Sequence, residues 1–151
     1  MSVKNDNEVT LAIAPTHSGF GYVMFENPDL IMDWGVKQAH LNRQRDWLLK
    51  VRVLMHMLQP SVLAIEDVHH NSSRRSERVR ALMDKLAELA QSQKVKVVRR
   101  ARSDMLAVFY RMGAESKDEI AEAVAKVVPE LAPRLPPHRR VWQSEHHSMA
   151  I

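Results

Sequence analysis

The sequence contains no cysteine, which excludes disulfide bonds and thiolate metal sites. It has no apolar run of about 18 residues, so we expect no membrane span. Residues 1–10 lack the apolar stretch of a secretory signal. Internal repeats and low-complexity tracts are also absent. These absences are typical of a cytoplasmic protein.

The length and charge of the chain limit the possible classes of protein. With 151 residues, we expect a single domain that spans residues 1–151. The net charge of +4 and the pI of about 9.6 are compatible with a polyanionic partner without requiring one. Arginines are concentrated in two short stretches: Arg74, Arg75, Arg78 and Arg80, then Arg99, Arg100 and Arg102. Solvated surfaces carry such runs too.

The first part of the chain has the pattern of three β-strands. Val9–Ile13 is an apolar, β-branched run that ends near Pro15, and it predicts a buried strand. Phe20–Phe25 and Leu30–Val36 follow after turn residues. The short connections predict an antiparallel meander of three strands.

The pattern then alternates between helices and strands. Two segments have apolar residues at helical spacing, around Val51 and around Leu82. A continuous apolar run, Val62–Ile65, lies between them, and Val95–Val98 follows the second segment. Such runs are typical of parallel strands that are covered on both faces. The order predicts right-handed crossovers within one sheet.

The C-terminal third of the chain has the pattern of short helices. Ser103 is a candidate cap for one helix, and Ser116 with Glu119 forms a capping box at the start of the next. Ser144 could cap a last helix, but only about two turns fit before Ile151. We therefore expect the final helix to be incomplete.

Three segments resemble motifs of the RuvC family of Holliday-junction resolvases. Leu11–Tyr22 is similar to the opening strand and turn of the family. Leu63–Val68 resembles its second motif, a strand that ends in a catalytic glutamate, here Glu66. Gly113–Ile120 resembles a later segment that carries a basic residue, here Lys117. The resemblance implies an α/β, RNase H-like fold with a mixed five-stranded sheet, in which three antiparallel strands and two parallel strands are flanked by helices.

The resemblance also implies a type of chemistry. Resolvases of this family hydrolyse phosphodiesters with two Mg²⁺ ions held by clustered carboxylates, because Mg²⁺ prefers hard oxygen ligands. Glu66 is then the catalytic and metal-binding residue. However, the first aspartate of the family falls at Ala14, and no aspartate follows Asp118. One matched carboxylate cannot hold two divalent ions, so we expect a degraded site. Alternatively, Glu66 is a strand-end acid paired with a nearby arginine.

A rebuilt metal site is a further alternative. Glu145 lies near where the terminal acids of the family would be, and imidazole suits Mn²⁺ and Zn²⁺. Glu66 and Glu145 would then be catalytic in an active endonuclease that depends on Mg²⁺ or Mn²⁺. Histidines that could complete the site follow each glutamate: His69 and His70, then His146 and His147.

Several residues are candidates for nucleic-acid binding. Arginines at or just before the start of the second helix are disfavoured by the helix dipole, so their placement favours an anionic partner, although Glu77 offers a local pair. By resemblance, His69 would stack on a base and Lys117 would contact a phosphate. The candidate set consists of His69, Arg74, Arg75, Arg78 and Lys117.

The leading hypothesis is a RuvC-like protein that binds branched or duplex DNA and has a degraded nuclease site, which would need no cofactor. The alternatives are an active Mg²⁺- or Mn²⁺-dependent endonuclease and a protein-interaction module on the same fold. By resemblance, a homodimer is also expected.

Overall fold

The computed structural model describes residues 8–27, 30–39, 44–111 and 113–127. Glu145 and the predicted last helix from Ser144 lie outside these ranges, as do His146 and His147. None of the helices within them combines the length and apolar character that crossing a bilayer requires.

The predicted fold class is confirmed. Five strands form one mixed sheet in the order β3-β2-β1-β4-β5. The first three strands pair antiparallel, whereas β4 pairs parallel with both β1 and β5. The strands are β1 (Thr10–Thr16), β2 (Gly19–Asn27), β3 (Leu30–Gln38), β4 (Val62–Glu66) and β5 (Lys96–Arg100).

Four helices accompany the sheet: α1 (Gln44–Leu58), α2 (Glu77–Ser92), α3 (Arg102–Arg111) and α4 (Lys117–Val127). The predicted cap of α4 is confirmed, since Ser116 Oγ accepts a hydrogen bond of 3.1 Å from the Glu119 amide. The predicted cap of α3 is wrong. Ser103 lies inside that helix, and the carbonyl of Ala101 accepts from the amides of Asp104 and Met105.

The hydrophobic core lies on one face of the sheet. In β1 the buried residues alternate with partly exposed ones, and β4 does the same from Leu63 onward. Leu11 and Leu63 are paired in register and fully buried. They belong to one core cluster with Trp47 of α1 and Leu86 of α2. Both helices therefore cover this face. The residues of even number in β1 and β4 point to the other face.

Trp47 fixes the turn that follows β1. Its indole Nε1 donates a hydrogen bond of 3.0 Å to the carbonyl of Gly19, and its ring meets Phe20 edge-on at 5.2 Å between centroids. A side chain at Gly19 would collide with the backbone, because a Cβ there would lie 1.9 Å from the carbonyl oxygen of Lys37. The carboxyl end of β1 is thus held by buried contacts.

Candidate nucleic-acid interface

The carboxyl ends of β1 and β4 lie side by side. Ala12 and Ala64 are partners in the parallel ladder, so Ala14 and Glu66, each two residues further on, follow on the same face. Adjacent strands lie about 4.8 Å apart. Continuing this register places Glu66 beside Ala14 across the two strands. Ala14 carries only a methyl group, so Glu66 supplies the carboxylate at this pair of strand ends.

The Glu66 carboxylate is occupied by two groups of the same chain. Its side chain is only 10% exposed, and Oε1 lies 3.4 Å from Nε of Arg75. The hydroxyl of Ser73 donates a hydrogen bond of 3.0 Å to Oε2. The ion pair between Glu66 and a nearby arginine, one of the two interpretations of the sequence, is present in the structure. The catalytic and metal-binding role of Glu66 stays a prediction.

Arg75 connects the two strand ends. Besides its contact with Glu66, its Nη1 donates a long hydrogen bond of 3.4 Å to the carbonyl of Pro15 in β1. The side chain is 24% exposed. A guanidinium has more N–H donors than these two contacts use. Other donors of Arg75 are therefore available to an acceptor from solvent.

Residues 67–76 form a compact loop between β4 and α2. The amide of Asp67 continues the parallel ladder by donating to the carbonyl of Arg100 at 2.8 Å, and Val68 is buried in the core. Ser76 ends the loop as the cap of α2, accepting from the Val79 amide at 3.3 Å. Anchors at both ends restrict where Arg75 can lie.

Ser73 couples the position of Arg75 to Glu66. While its hydroxyl donates to the Glu66 carboxylate, the same oxygen accepts a hydrogen bond of 3.3 Å from the Arg75 amide. Neither Ser73 nor the Pro15 carbonyl was predicted from the sequence as part of the site. A small hydroxyl residue between a strand-end acid and an arginine was the available signal for Ser73. No residue type predicts a backbone carbonyl contact.

The histidines of the loop make contacts away from Glu66. His69 Nε2 lies 2.8 Å and 2.9 Å from the two carboxylate oxygens of Asp84 in α2. His70 Nδ1 lies 2.7 Å from Ser72 Oγ, which also accepts from the Ser103 amide at 3.1 Å. His69 is exposed, so it remains accessible to a ligand.

The donor set of the described residues does not fit a pair of divalent ions. No group of three or more histidine, aspartate or glutamate side chains within these residues could hold a metal. Glu66 is engaged by a cation, and Asp67 Oδ1 accepts from the His69 amide at 3.2 Å. Thr16 Oγ1 is buried without a hydrogen-bond partner in the described part of the chain, but a neutral hydroxyl cannot replace the missing carboxylate charge.

Four exposed arginines lie on β5, on the loop and at the start of α2, the elements next to this cluster. Arg100 is the register partner of Glu66 and shares its face, whereas Arg99 points to the other face at the same strand end. Arg74 lies in the loop, and Arg78 lies in the first turn of α2. These four side chains are exposed. We call this region the arginine rim, consisting of Glu66, Arg74, Arg75, Arg78, Arg99 and Arg100.

The roles of two further predicted site residues stay predictions. Lys117 begins α4, but its side chain is outside the described part of the structure. Glu145 is outside it altogether, so its catalytic role stays a prediction.

Comparison with known proteins gives a relationship at the level of the fold. No protein-family model matches the chain, and no curated protein sequence matches it. Among solved structures, it is similar to Thermus thermophilus RuvC in complex with a Holliday junction substrate, with a TM-score of 0.60 and 15% identity over 94% of this chain and 89% of that one. A second structure of Thermus thermophilus RuvC has a TM-score of 0.60 and 18% identity over 94% and 88% of the two chains. The chain therefore shares the RNase H-like fold of RuvC.

Proposed function

We propose that this protein binds DNA, branched or duplex, through the arginine rim and that its two-metal nuclease site is degraded. The observation that carries the proposal is the Glu66–Arg75 pair beside Ala14, at the strand ends where the resembled family has its catalytic carboxylates. Arg75 neutralises the charge of Glu66, the glutamate that matches the family motif. With Glu66 neutralised, the exposed arginines give the arginine rim a net positive charge.

The charge of the rim supports an anionic partner. Arg74, Arg99 and Arg100 are exposed at or beside the same end of the sheet, and the charge of Arg75 offsets that of Glu66. Arginine binds phosphate bidentately, and DNA presents a dense array of phosphates. Thermus thermophilus RuvC with its Holliday junction substrate offers a precedent for DNA on this fold. His69 would add a stacking surface, and Lys117 a further phosphate contact.

Titration of labelled DNA tests the proposal. A four-way junction and a linear duplex of equal length are titrated at about 50 mM and about 200 mM salt. We expect salt-sensitive binding, because each phosphate contact releases counterions. A preference for the junction would identify branched DNA as the ligand. If neither DNA binds at the lower salt concentration, the proposal is wrong and a protein-interaction module replaces it.

The alternative, an active endonuclease with ligands from Glu66 and Glu145, is tested on the same DNA. Mg²⁺ or Mn²⁺ is added to the bound complexes, and the products are separated by size. We expect no cleavage. Cleavage that Glu66→Gln and Glu145→Gln both abolish would establish the alternative, in which the metal ions are cofactors.

The sequence-based expectations complete the proposal: one domain over residues 1–151, a homodimer by resemblance, and a cytoplasmic location. The lack of cysteine supports the last of these. Light scattering on the purified chain gives the oligomeric state, and a mass of one chain would exclude the dimer.

A further inference from the structure

We propose that the Arg75 guanidinium replaces the metal ions of a nuclease by binding a backbone phosphate directly, so that DNA binding at the rim needs no divalent cation. This inference rests on the proposed function and deepens it. It assigns a ligand class, the phosphodiester, to one side chain, and it gives the Glu66–Arg75 pair a role beyond stability.

The groups around Arg75 are of the kind that bind a metal ion. Two oxygen ligands from neighbouring strand ends face the guanidinium, namely the Glu66 carboxylate and the Pro15 carbonyl. Hard oxygens at adjacent strand ends are the ligands that Mg²⁺ would take. Here they hold an organic cation that cannot be deprotonated in a protein. The positive charge at this position is therefore supplied by a side chain of the protein.

Arg75 has N–H donors that its contacts within the chain do not use. Arg75 uses its Nε and Nη1 for contacts within the chain, whereas the planar group offers further N–H donors in a fork that matches phosphate oxygens. Because the side chain is 24% exposed, solvent reaches part of it. A phosphate bound there would bring its negative charge to the side of the guanidinium opposite Glu66.

The net charge around Arg75 favours an anion over a cation. The charges of Glu66 and Arg75 cancel, and Arg100 adds a positive charge on the same face in the next strand. A divalent cation would be repelled by this arrangement, whereas a phosphate would be attracted. The Ser73 hydroxyl fixes both the Glu66 carboxylate and the Arg75 backbone. The guanidinium therefore loses little conformational freedom when a phosphate binds.

The experiment compares three variants with the natural chain on a labelled four-way junction, in EDTA and in Mg²⁺ at matched ionic strength. The variants are Arg75→Gln, Glu66→Gln and the control Arg52→Gln, which removes an exposed arginine from α1. For each protein, Kd is measured as a function of salt concentration. Circular dichroism at the assay temperature identifies any variant that fails to fold.

We expect the natural chain to bind equally well in EDTA and in Mg²⁺. Arg75→Gln should weaken binding by about tenfold and lower the salt slope by about 0.9, the value for one lost phosphate contact. Glu66→Gln should tighten binding, since it removes a negative charge and leaves Arg75 in place. If the Glu66–Arg75 pair is only structural, both substitutions should weaken binding, because either one breaks the pair.

Each contrary result has a separate meaning. If the natural chain binds DNA but Arg75→Gln behaves like Arg52→Gln, this inference is overturned while the proposed function stands. A requirement for Mg²⁺, or weaker binding by a folded Glu66→Gln protein, overturns it as well. If the natural chain does not bind DNA at all, the proposed function fails and this inference fails with it.

Discussion

Nε of Arg75 lies 3.4 Å from Oε1 of Glu66, at the carboxyl end of a central strand of the sheet. The pair is largely shielded from solvent, with the glutamate 10% and the arginine 24% exposed. Such a pair costs desolvation energy when it forms, so its geometry and its additional hydrogen bonds decide its net contribution. Ser73 and the Pro15 carbonyl supply those bonds.

A double-mutant cycle on Glu66 and Arg75 should show strong coupling. Replacing either residue with alanine leaves the other charge partly buried without its partner, which costs about 1–3 kcal/mol of unfolding free energy. The double variant should be less destabilised than the sum of the two single variants. Urea unfolding of the four proteins measures the coupling.

The exposed pair of His69 and Asp84 provides the matched control for that cycle. Their side chains are 60% and 48% exposed, and surface pairs contribute at most about 1 kcal/mol. We expect a smaller coupling there than between Glu66 and Arg75. Equal coupling in the two cycles would contradict the account of the buried pair.

Restoring acidic charge should create a metal site only when Arg75 is removed. In Ala14→Asp alone, the new carboxylate would gain Arg75 as a partner, whereas in Ala14→Asp/Arg75→Ala two carboxylates would face each other without a cation. We expect Mg²⁺ to raise the Tm of the double variant, because a ligand that binds only the folded state stabilises it. The natural chain should show no rise beyond that of a salt control at equal ionic strength. A folded double variant without a response to Mg²⁺ would contradict the account, in which Arg75 keeps a divalent ion from binding at these strand ends.

Trp47→Phe should destabilise the protein by about 1–3 kcal/mol. The indole is fully buried, and phenylalanine cannot donate to the Gly19 carbonyl, which would then lose its buried partner. Urea unfolding followed by circular dichroism measures the change. Leu49→Ala, at an exposed position of the same helix, is the control and should change stability little. Equal effects of the two substitutions would show that the buried hydrogen bond contributes nothing.

Periodicity predicted the strands, the helices and their connections, whereas the mixed five-stranded sheet was what the resemblance to the RuvC family implied. The continuous apolar run Val62–Ile65 predicted a strand covered on both faces, but in the structure the core lies on one face, and Ala64 on the other face is partly exposed. The exact ends of elements were less predictable. Ser103 looked like a helix cap by residue type, but the Ala101 carbonyl begins α3, since backbone groups can start a helix whatever the side chain.

The site was predictable only in part. The Glu66 motif and the arginine run were both visible in the sequence, and an ion pair between them was one of two interpretations. Which arginine pairs with Glu66 depends on the path of residues 67–76, which is set by Asp67, Ser73 and Ser76 through contacts with the backbone. Serine and aspartate commonly bond nearby backbone groups, but the residue type does not determine which group each one bonds.

Hydrogen exchange with and without the four-way junction tests the central claim most directly, because it locates the bound DNA on the chain. The account predicts slower exchange of amides in residues 66–76 and 99–105, with α1 unchanged. Protection confined to α1, or DNA binding that leaves residues 66–76 unprotected, would contradict it.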